Sequence, residues 1–272
     1  AVVIPAYNEA ANIGAALRSL LSQREGGFHV KRITVISDGS TDNTGDVVRS
    51  IDDRRVELRE FTERKGKAAC LQGVYRNADI DIIVSVDADT VLVHPRVLAE
   101  LIAPFRNDPA LGLASGGEEP VAARTLVGLA MNIGHFVREP FRGDNVFSAD
   151  GKLMACRKEF AKRIQFPDGL IGVDHYLYFA CRREGFGYRY VQDAKIFFRS
   201  PSTLRDAVRQ NTRFGAVPSR MGRYFGRKFV EREYRMPFMK RSFAVAEQAV
   251  CHPVATALAF LIYQYCNVRG YF

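Results

Sequence analysis

A chain of 272 residues, 47% of them hydrophobic and 25% charged, is long enough to bury a large α/β core and too apolar to stay disordered. Its 39 Lys and Arg against 30 Asp and Glu give a net charge of +9, and the excess is local: ten basic residues fall between Arg209 and Arg241 against Glu231 and Glu233 alone, which calls for an anionic partner such as a pyrophosphate or a phospholipid surface. The five cysteines, odd in number and without CxxC spacing, argue against a disulfide framework or a zinc site and point to a reducing compartment.

Val2-Val3-Ile4 reads as a core strand rather than as a secretory leader. Ile13, Leu17, Leu20 and Leu21 then share one helical face, and Ile33 to Ile36 returns to strand. A helix follows with Val47, Val48 and Ile51 inward, then a strand over Val56 to Phe61 and a helix over Lys67 to Ala78. The apolar run Ile82 to Val86 is the next strand, and Val97, Leu98, Leu101, Ile102 and Phe105 line one side of the next helix. This alternation, with strands apolar on both faces, predicts a mostly parallel sheet flanked by helices. Ligands of such sheets bind beyond the carboxyl ends of the strands.

After Leu111 the pattern loosens. Ser115-Gly116-Gly117 reads as a turn, Leu126 to Phe136 as an apolar segment and Arg142-Gly143-Asp144 as a loop. Lys152 to Cys156 reads as a strand, Asp174 to Arg183 as a helix, and Tyr188 to Val191 and Lys195 to Phe198 as two further strands. The predicted division is an α/β domain over 1–204, with a nucleotide-binding half (1–110) and an acceptor half (111–204), then a basic, helical C-terminal region over 205–272.

Three polar strand ends carry chemistry. Asp87-Ala88-Asp89 follows the buried strand Ile82 to Val86, and two carboxylates so spaced can share one hard cation, Mg²⁺ or Mn²⁺, that also holds phosphate oxygens. The plainer reading makes Asp89 the cap of the following helix. Pro5, Ala6, Tyr7 and Glu9 end the first strand, where Tyr7 can contact a base or ribose and Glu9 ribose hydroxyls. Asp38, ending the second strand, can accept the imino proton of a uracil-like ring. Asn8 and Ser40 to Asp42 have the composition of helix caps, and Tyr7 of a packing residue.

The ordered segments VVIPAYNEAANI, VISDGSTDNT and KGKAACLQGVYRNADIDIIVSVDADT closely resemble the nucleotide-sugar-binding half of inverting glycosyltransferase family 2, which has the Rossmann-like GT-A fold. The resemblance covers about the first hundred residues. It implies that Asp38 meets uracil, that Asp87 and Asp89 meet ribose, metal and pyrophosphate, and that Gly66 and Lys67 face the nucleotide. Many members have two consecutive Asp where this chain has Ser37-Asp38. Farther on, Gly172-Val-Asp174 resembles the Glu-Asp that opens a helix in the family, with Val173 replacing Glu. The resemblance makes Asp174 the base that takes the acceptor proton, against the alternative of a helix-terminal Asp held by the macrodipole.

Gln210-Asn-Thr-Arg213-Phe214 resembles the QxxRW motif of membrane polysaccharide synthases, which implies contacts to acceptor and pyrophosphate. Spacing puts Gln210 and Arg213 on one helical face. Phe214 keeps a stacking surface but lacks the indole N–H of Trp, which weakens the case for processive synthesis. The expected activity is metal-dependent transfer from a nucleotide-diphospho-sugar, a UDP-sugar first, to a saccharide or lipid-linked hydroxyl with inversion. A retaining transferase, a nucleotidyltransferase and a non-catalytic nucleotide-sugar binder are the alternatives.

Basic and aromatic residues interleave over Arg220 to Arg241, yet no nucleic-acid module accompanies them, so no nucleic-acid partner is expected. The uncharged stretch Gln248 to Val268 follows. His252-Pro253 and Gln264 interrupt it, which favours an interfacial or re-entrant segment over a membrane span, with a buried helix third. His252 reads as structural. The chain is expected in the cytoplasm, attached peripherally at the inner face of a membrane.

Overall fold

The computed structural model describes residues 1–270, and side chains as far as Cys266. In chain order the elements are β1 (Val2–Ala6), α1 (Ile13–Leu21), β2 (Ile33–Asp38), α2 (Thr44–Arg49), β3 (Val56–Phe61), α3 (Lys67–Arg76), β4 (Ile82–Val86), β5 (Val91–Leu92), α4 (Val97–Asn107), β6 (Leu111–Pro120) and α5 (Leu126–Arg138). They continue as β7 (Leu153–Arg157), α6 (Lys158–Ala161), α7 (Val173–Arg183), β8 (Gly187–Phe198), α8 (Leu204–Gly215), α9 (Val217–Phe225), α10 (Arg227–Glu233), α11 (Phe238–Cys251) and α12 (Pro253–Gly270).

Two compact units divide the chain: residues 1–119 with 148–197, and residues 120–147 with 198–272. The first holds one eight-stranded sheet in the order β3-β2-β1-β4-β7-β6-β8-β5. Strands β3, β2, β1 and β4 run parallel, as the apolar runs of β1, β2 and β4 predict, while β3, with Glu57, Arg59 and Glu60, is the half-exposed edge strand. Strand β7 then joins β4 antiparallel, β6 pairs antiparallel with β7 and β5 with β8. The sheet is therefore mixed, α/β in the N-terminal half and closed by antiparallel strands beyond β4. Every residue of β2 is buried, which requires cover on both faces. Ile13, Leu17 and Leu20 of α1 supply part of it, each no more than 2% exposed and each stabilising by about 1.5–3 kcal/mol. Pro5 is tolerated in a central strand because the ladder from β1 to β4 involves only Val2 and Val3 and has ended before it.

Two expectations change here. Ser115-Gly116-Gly117 is not a turn but the interior of β6. A Cβ on Gly116 would lie 2.4 Å from the Ala194 carbonyl oxygen, and one on Gly117 2.4 Å from that of Gln192, so these glycines permit close approach of the β8 backbone. The two strands expected near 188–191 and 195–198 are one continuous strand, β8, because nothing between them breaks the extended backbone.

The second unit is helical. Ala130, Met131 and Ile133 of α5 pack with Ala207 of α8 and with Ala255, Ala259, Ile262 and Cys266 of α12. The expected boundary at 204/205 thus differs from the observed division: segment 120–147 groups with the C-terminal helices because α5 turns its apolar face to α8 and α12. The uncharged stretch from Gln248 is split at His252, where α11 ends and Pro253 opens α12, in keeping with proline's preference for the first helical turn. No helix among the described residues is long and apolar enough to cross a membrane. Val268, the end of that stretch, lies beyond the described side chains.

Candidate active site

In the first unit the loops after β1 and β2 are built from polar residues that hold one another. Asn8, with a positive φ of 55°, accepts the Thr41 amide at 2.8 Å and donates its own backbone N–H to Ser40 at 3.1 Å. Asp42 accepts the Ala10 amide at 3.0 Å and the Thr44 amide at 3.0 Å, and Thr44 Oγ1 accepts the Glu9 amide at 2.8 Å. Asn8, Ser40 and Asp42 therefore tie two strand-end loops together rather than serving as helix caps, since the N-cap positions of α1 and α2 are Asn12 and Asn43. Tyr7 lies beneath the Arg64 guanidinium at 3.9 Å from the ring centroid, a cation–π contact.

Asp38 is 4% exposed. Its two carboxylate oxygens accept the backbone N–H groups of Lys65 and Gly66, each at 2.7 Å. Gly39 allows that loop to close, since at φ +68° a Cβ would stand 2.6 Å from the Arg64 nitrogen. Asp38 thereby sets the entry of α3, whose first residue is Lys67. A carboxylate has about four acceptor positions, so accepting two amides leaves room for a further donor.

After β4 the chain makes a tight turn, in which the Thr90 hydroxyl donates to the Asp87 carbonyl at 2.8 Å. The following helix starts only at Val97, with Arg96 at its N-cap position, so the reading of Asp89 as a helix cap does not hold. Ala88, 4% exposed, packs inward between the two acids. Asp89 is an exposed residue, yet protein atoms crowd its carboxyl enough to raise its pKa, with the Asp87 charge adding to the rise. Glu9 is raised too, by burial first and also by Asp89 and Asp87. Glu9 thus feels the charges of both acids after β4, in keeping with the direct pairing of β1 with β4. Among the described residues no three His, Cys, Asp or Glu side chains form a ready metal cage. The pair Asp87 and Asp89 still fits a hard cation that takes its remaining ligands from phosphate and water, and their repulsion is what a cation would relieve.

The Lys67 ammonium reaches across this cluster. It donates to Asp87 and, at 2.8 Å, to the Gly151 carbonyl. Burial alone lowers its pKa, but Asp87 and then Asp174 outweigh that and the net shift is upward. Asp174 stands in the first turn of α7, after Gly172 in the left-handed region at φ 79°. Burial pushes its carboxyl up, and His175, at 3.5 Å, together with Lys67 pulls it well below the usual carboxylate range. Asp174 thus lies both in the first turn of α7 and, with Lys67, against Gly151.

Sequence reasoning missed Gly151 and the ion cluster beside it. A Cβ on Gly151 would crowd the Asp174 Cβ at 3.0 Å and Lys67 Nζ at 3.2 Å, so glycine gives these groups the most room to meet. Next to it Lys152 pairs with Asp150 at 2.8 Å and with buried Glu118. Burial would depress Lys152, but Asp150 and Glu118 raise it overall. The available signal was the Asp150-Gly151 turn dipeptide before a strand. What converts it into a site is the antiparallel register Val86↔Leu153, with the Asp87 amide donating to the Lys152 carbonyl at 3.0 Å.

Gln210, Arg213 and Phe214 lie together on α8 in the second unit. The Arg213 guanidinium stands 5.4 Å from the Phe214 ring centroid, and Phe214 is 50% exposed.

Residues 1–165 match the profile described as Glycosyl transferase family 2. Among curated proteins, the poly-beta-1,6-N-acetyl-D-glucosamine synthase of Staphylococcus aureus (strain COL) is 25% identical over 220 residues, covering 78% of this chain and 52% of the relative. The chain thus spans about half the length of such relatives. Among solved structures, the mannosyltransferase PcManGT from Pyrobaculum calidifontis in complex with GDP-Man and Mn²⁺ superposes with a TM-score of 0.67 at 21% identity, covering 99% of this chain and 82% of that one. Glucosyl-3-phosphoglycerate synthase from Mycobacterium tuberculosis, in complex with Mn²⁺, UDP and glucosyl-3-phosphoglycerate, gives 0.57 at 18% identity, covering 81% and 79%. The fold is that of the GT-A glycosyltransferases.

Proposed function

The chain belongs to glycosyltransferase family 2, and from that premise we propose that it transfers a sugar from a UDP-sugar to an acceptor hydroxyl with inversion at the anomeric carbon. The observation that carries this reading is the cluster of Asp87, Asp89, Lys67, Gly151 and Asp174 in one unit. Asp87 and Asp89 would hold a divalent cation, Mg²⁺ or Mn²⁺, which when bound offsets negative charge on the nucleotide diphosphate. Two structural neighbours solved with Mn²⁺ support the metal, and UDP in one of them supports the nucleotide.

The residues of this chain divide the remaining work. Asp38, Tyr7 and Glu9 receive base and ribose, with Pro5, Ala6 and Ala88 shaping the floor. Gly66 lets the α3 entry approach the donor, and Lys67 brings a fixed positive charge to the departing diphosphate. The acceptor oxygen bonds to the anomeric carbon as the carbon–oxygen bond to phosphate breaks, and its proton passes to Asp174. A carboxylate of depressed pKa suffices for this, because the attacking hydroxyl becomes strongly acidic as its new bond forms. Gln210, Arg213 and Phe214 belong to acceptor and pyrophosphate recognition in this reading. A saccharide or lipid-linked acceptor at the inner face of a membrane suits the basic second unit.

The test is a screen of UDP-, GDP- and dTDP-sugars with Mn²⁺, following release of nucleotide diphosphate. Wild-type protein should turn over a UDP-sugar, and Asp89→Ala should lose about 10²–10³ in rate. Equal turnover by Asp89→Ala would remove the metal assignment.

A further inference from the structure

The surface of the second unit differs in kind from ordinary protein surface. Phe238 (79% exposed), Phe243 (68%), Val250 (82%) and Phe260 (60%) stand out from α11 and α12. Helix α12 buries Ala255, Ala259 and Ile262 on one side while exposing Val254, Phe260 and Leu261 on others, so it is apolar nearly all round. A helix of that kind ends up buried in protein or in lipid.

The same unit has a cavity of about 830 Å³ lined by Arg220 and Arg223 of α9 and Arg227 and Glu231 of α10, with Ser219, Tyr234 and, from α12, Cys266. Gly226, at φ +92° and with open space on the side where a Cβ would stand, forms the bend that brings the two helices face to face. Glu231 accepts from Arg227 at 2.6 Å, so the lining carries three guanidinium charges against one carboxylate. Guanidinium forks match the tetrahedral oxygens of a phosphate, and the volume suits a phosphorylated head group.

We propose that this cavity takes the phosphate of an anionic phospholipid head group while the exposed apolar residues of α11 and α12 enter the same bilayer. The inference rests on the proposed attachment of this unit to a membrane and adds its ligand. A phosphate without a lipid leaves the apolar helices exposed to water, whereas an anionic bilayer satisfies charge and apolar surface together.

The experiment is vesicle flotation of the whole chain with phosphatidylcholine alone and with added phosphatidylglycerol. Binding is expected only to the anionic vesicles and should weaken with salt. Neutralising each arginine should weaken it about fivefold, so the triple variant R220Q/R223Q/R227Q should lose about two orders of magnitude with an unchanged melting temperature. Phe238→Ser with Phe243→Ser should also reduce binding. Equal binding by the triple variant would overturn the proposal. So would stabilisation by inorganic phosphate, or binding of a single-stranded oligonucleotide, without any binding to anionic vesicles. Asp89→Ala should float like wild type, so a failure of the transferase reading and a failure of this one are seen separately.

Discussion

The two units of this chain solve opposite surface problems. The first carries 23 Lys and Arg against 24 Asp and Glu and, among the described residues, exposes no large hydrophobic side chain. The second carries 16 against 6, and every large exposed hydrophobic among the described residues belongs to it. A near-neutral unit with a cluster of acids and a lysine at its strand tips is suited to chemistry on a charged donor. A unit that is both basic and apolar outside is suited to an anionic, apolar partner. Net charge and exposed apolar surface together separate the two units.

That contrast can be broken from either side. Lys152→Met should have the largest effect on folding, because it removes the cation paired with the almost fully buried carboxylate of Glu118. A loss of about 3 kcal/mol is expected, read from chemical denaturation, with partial recovery when Glu118→Gln is added. No loss would mean the buried pair contributes nothing net. Gly151→Ala comes next, since its methyl group would press on Asp174 and Lys67. Overpacking of about 1–3 kcal/mol should slow transfer by about ten- to a hundredfold while vesicle flotation stays at the wild-type level. Loss of flotation in that variant would mean that the roles are not divided between the units.

The smallest effect concerns acid stability. Asp53 is held down to about 2, first by the Arg55 side chain and then by the Arg55 amide. Because its folded pKa lies below the ordinary value, its stabilisation is complete above about pH 4 and is lost as pH falls towards 2. Asp53→Asn should flatten that part of the denaturation midpoint against pH, lowering the neutral plateau slightly and leaving the region near pH 2 nearly unchanged.

Much of the first unit was legible because its strands are local apolar runs with polar ends, and a parallel βαβ order follows from alternation alone. Asp87, Asp89 and Asp38 stood out for the same reason: each ends a recognisable strand. The glycines of β6 read as a turn because their purpose, room for the β8 backbone, is a contact with residues about 75 positions away in sequence. Gly151 and Lys152 were invisible on similar grounds, since only the antiparallel register of β7 against β4 brings them to Asp87. The position of α5 in the second unit was hidden because an apolar helix does not announce which neighbour it covers.

The claim on which the rest depends is that Asp174 receives the acceptor proton in a site otherwise built to hold the donor. Turnover and donor affinity of Asp174→Asn, measured on the same preparation with a UDP-sugar and Mn²⁺, test it most directly. Donor binding should stay within about twofold of wild type while turnover falls by about 10²–10⁴. Donor affinity and turnover falling together would contradict the claim and leave Asp174 a residue that holds the end of α7.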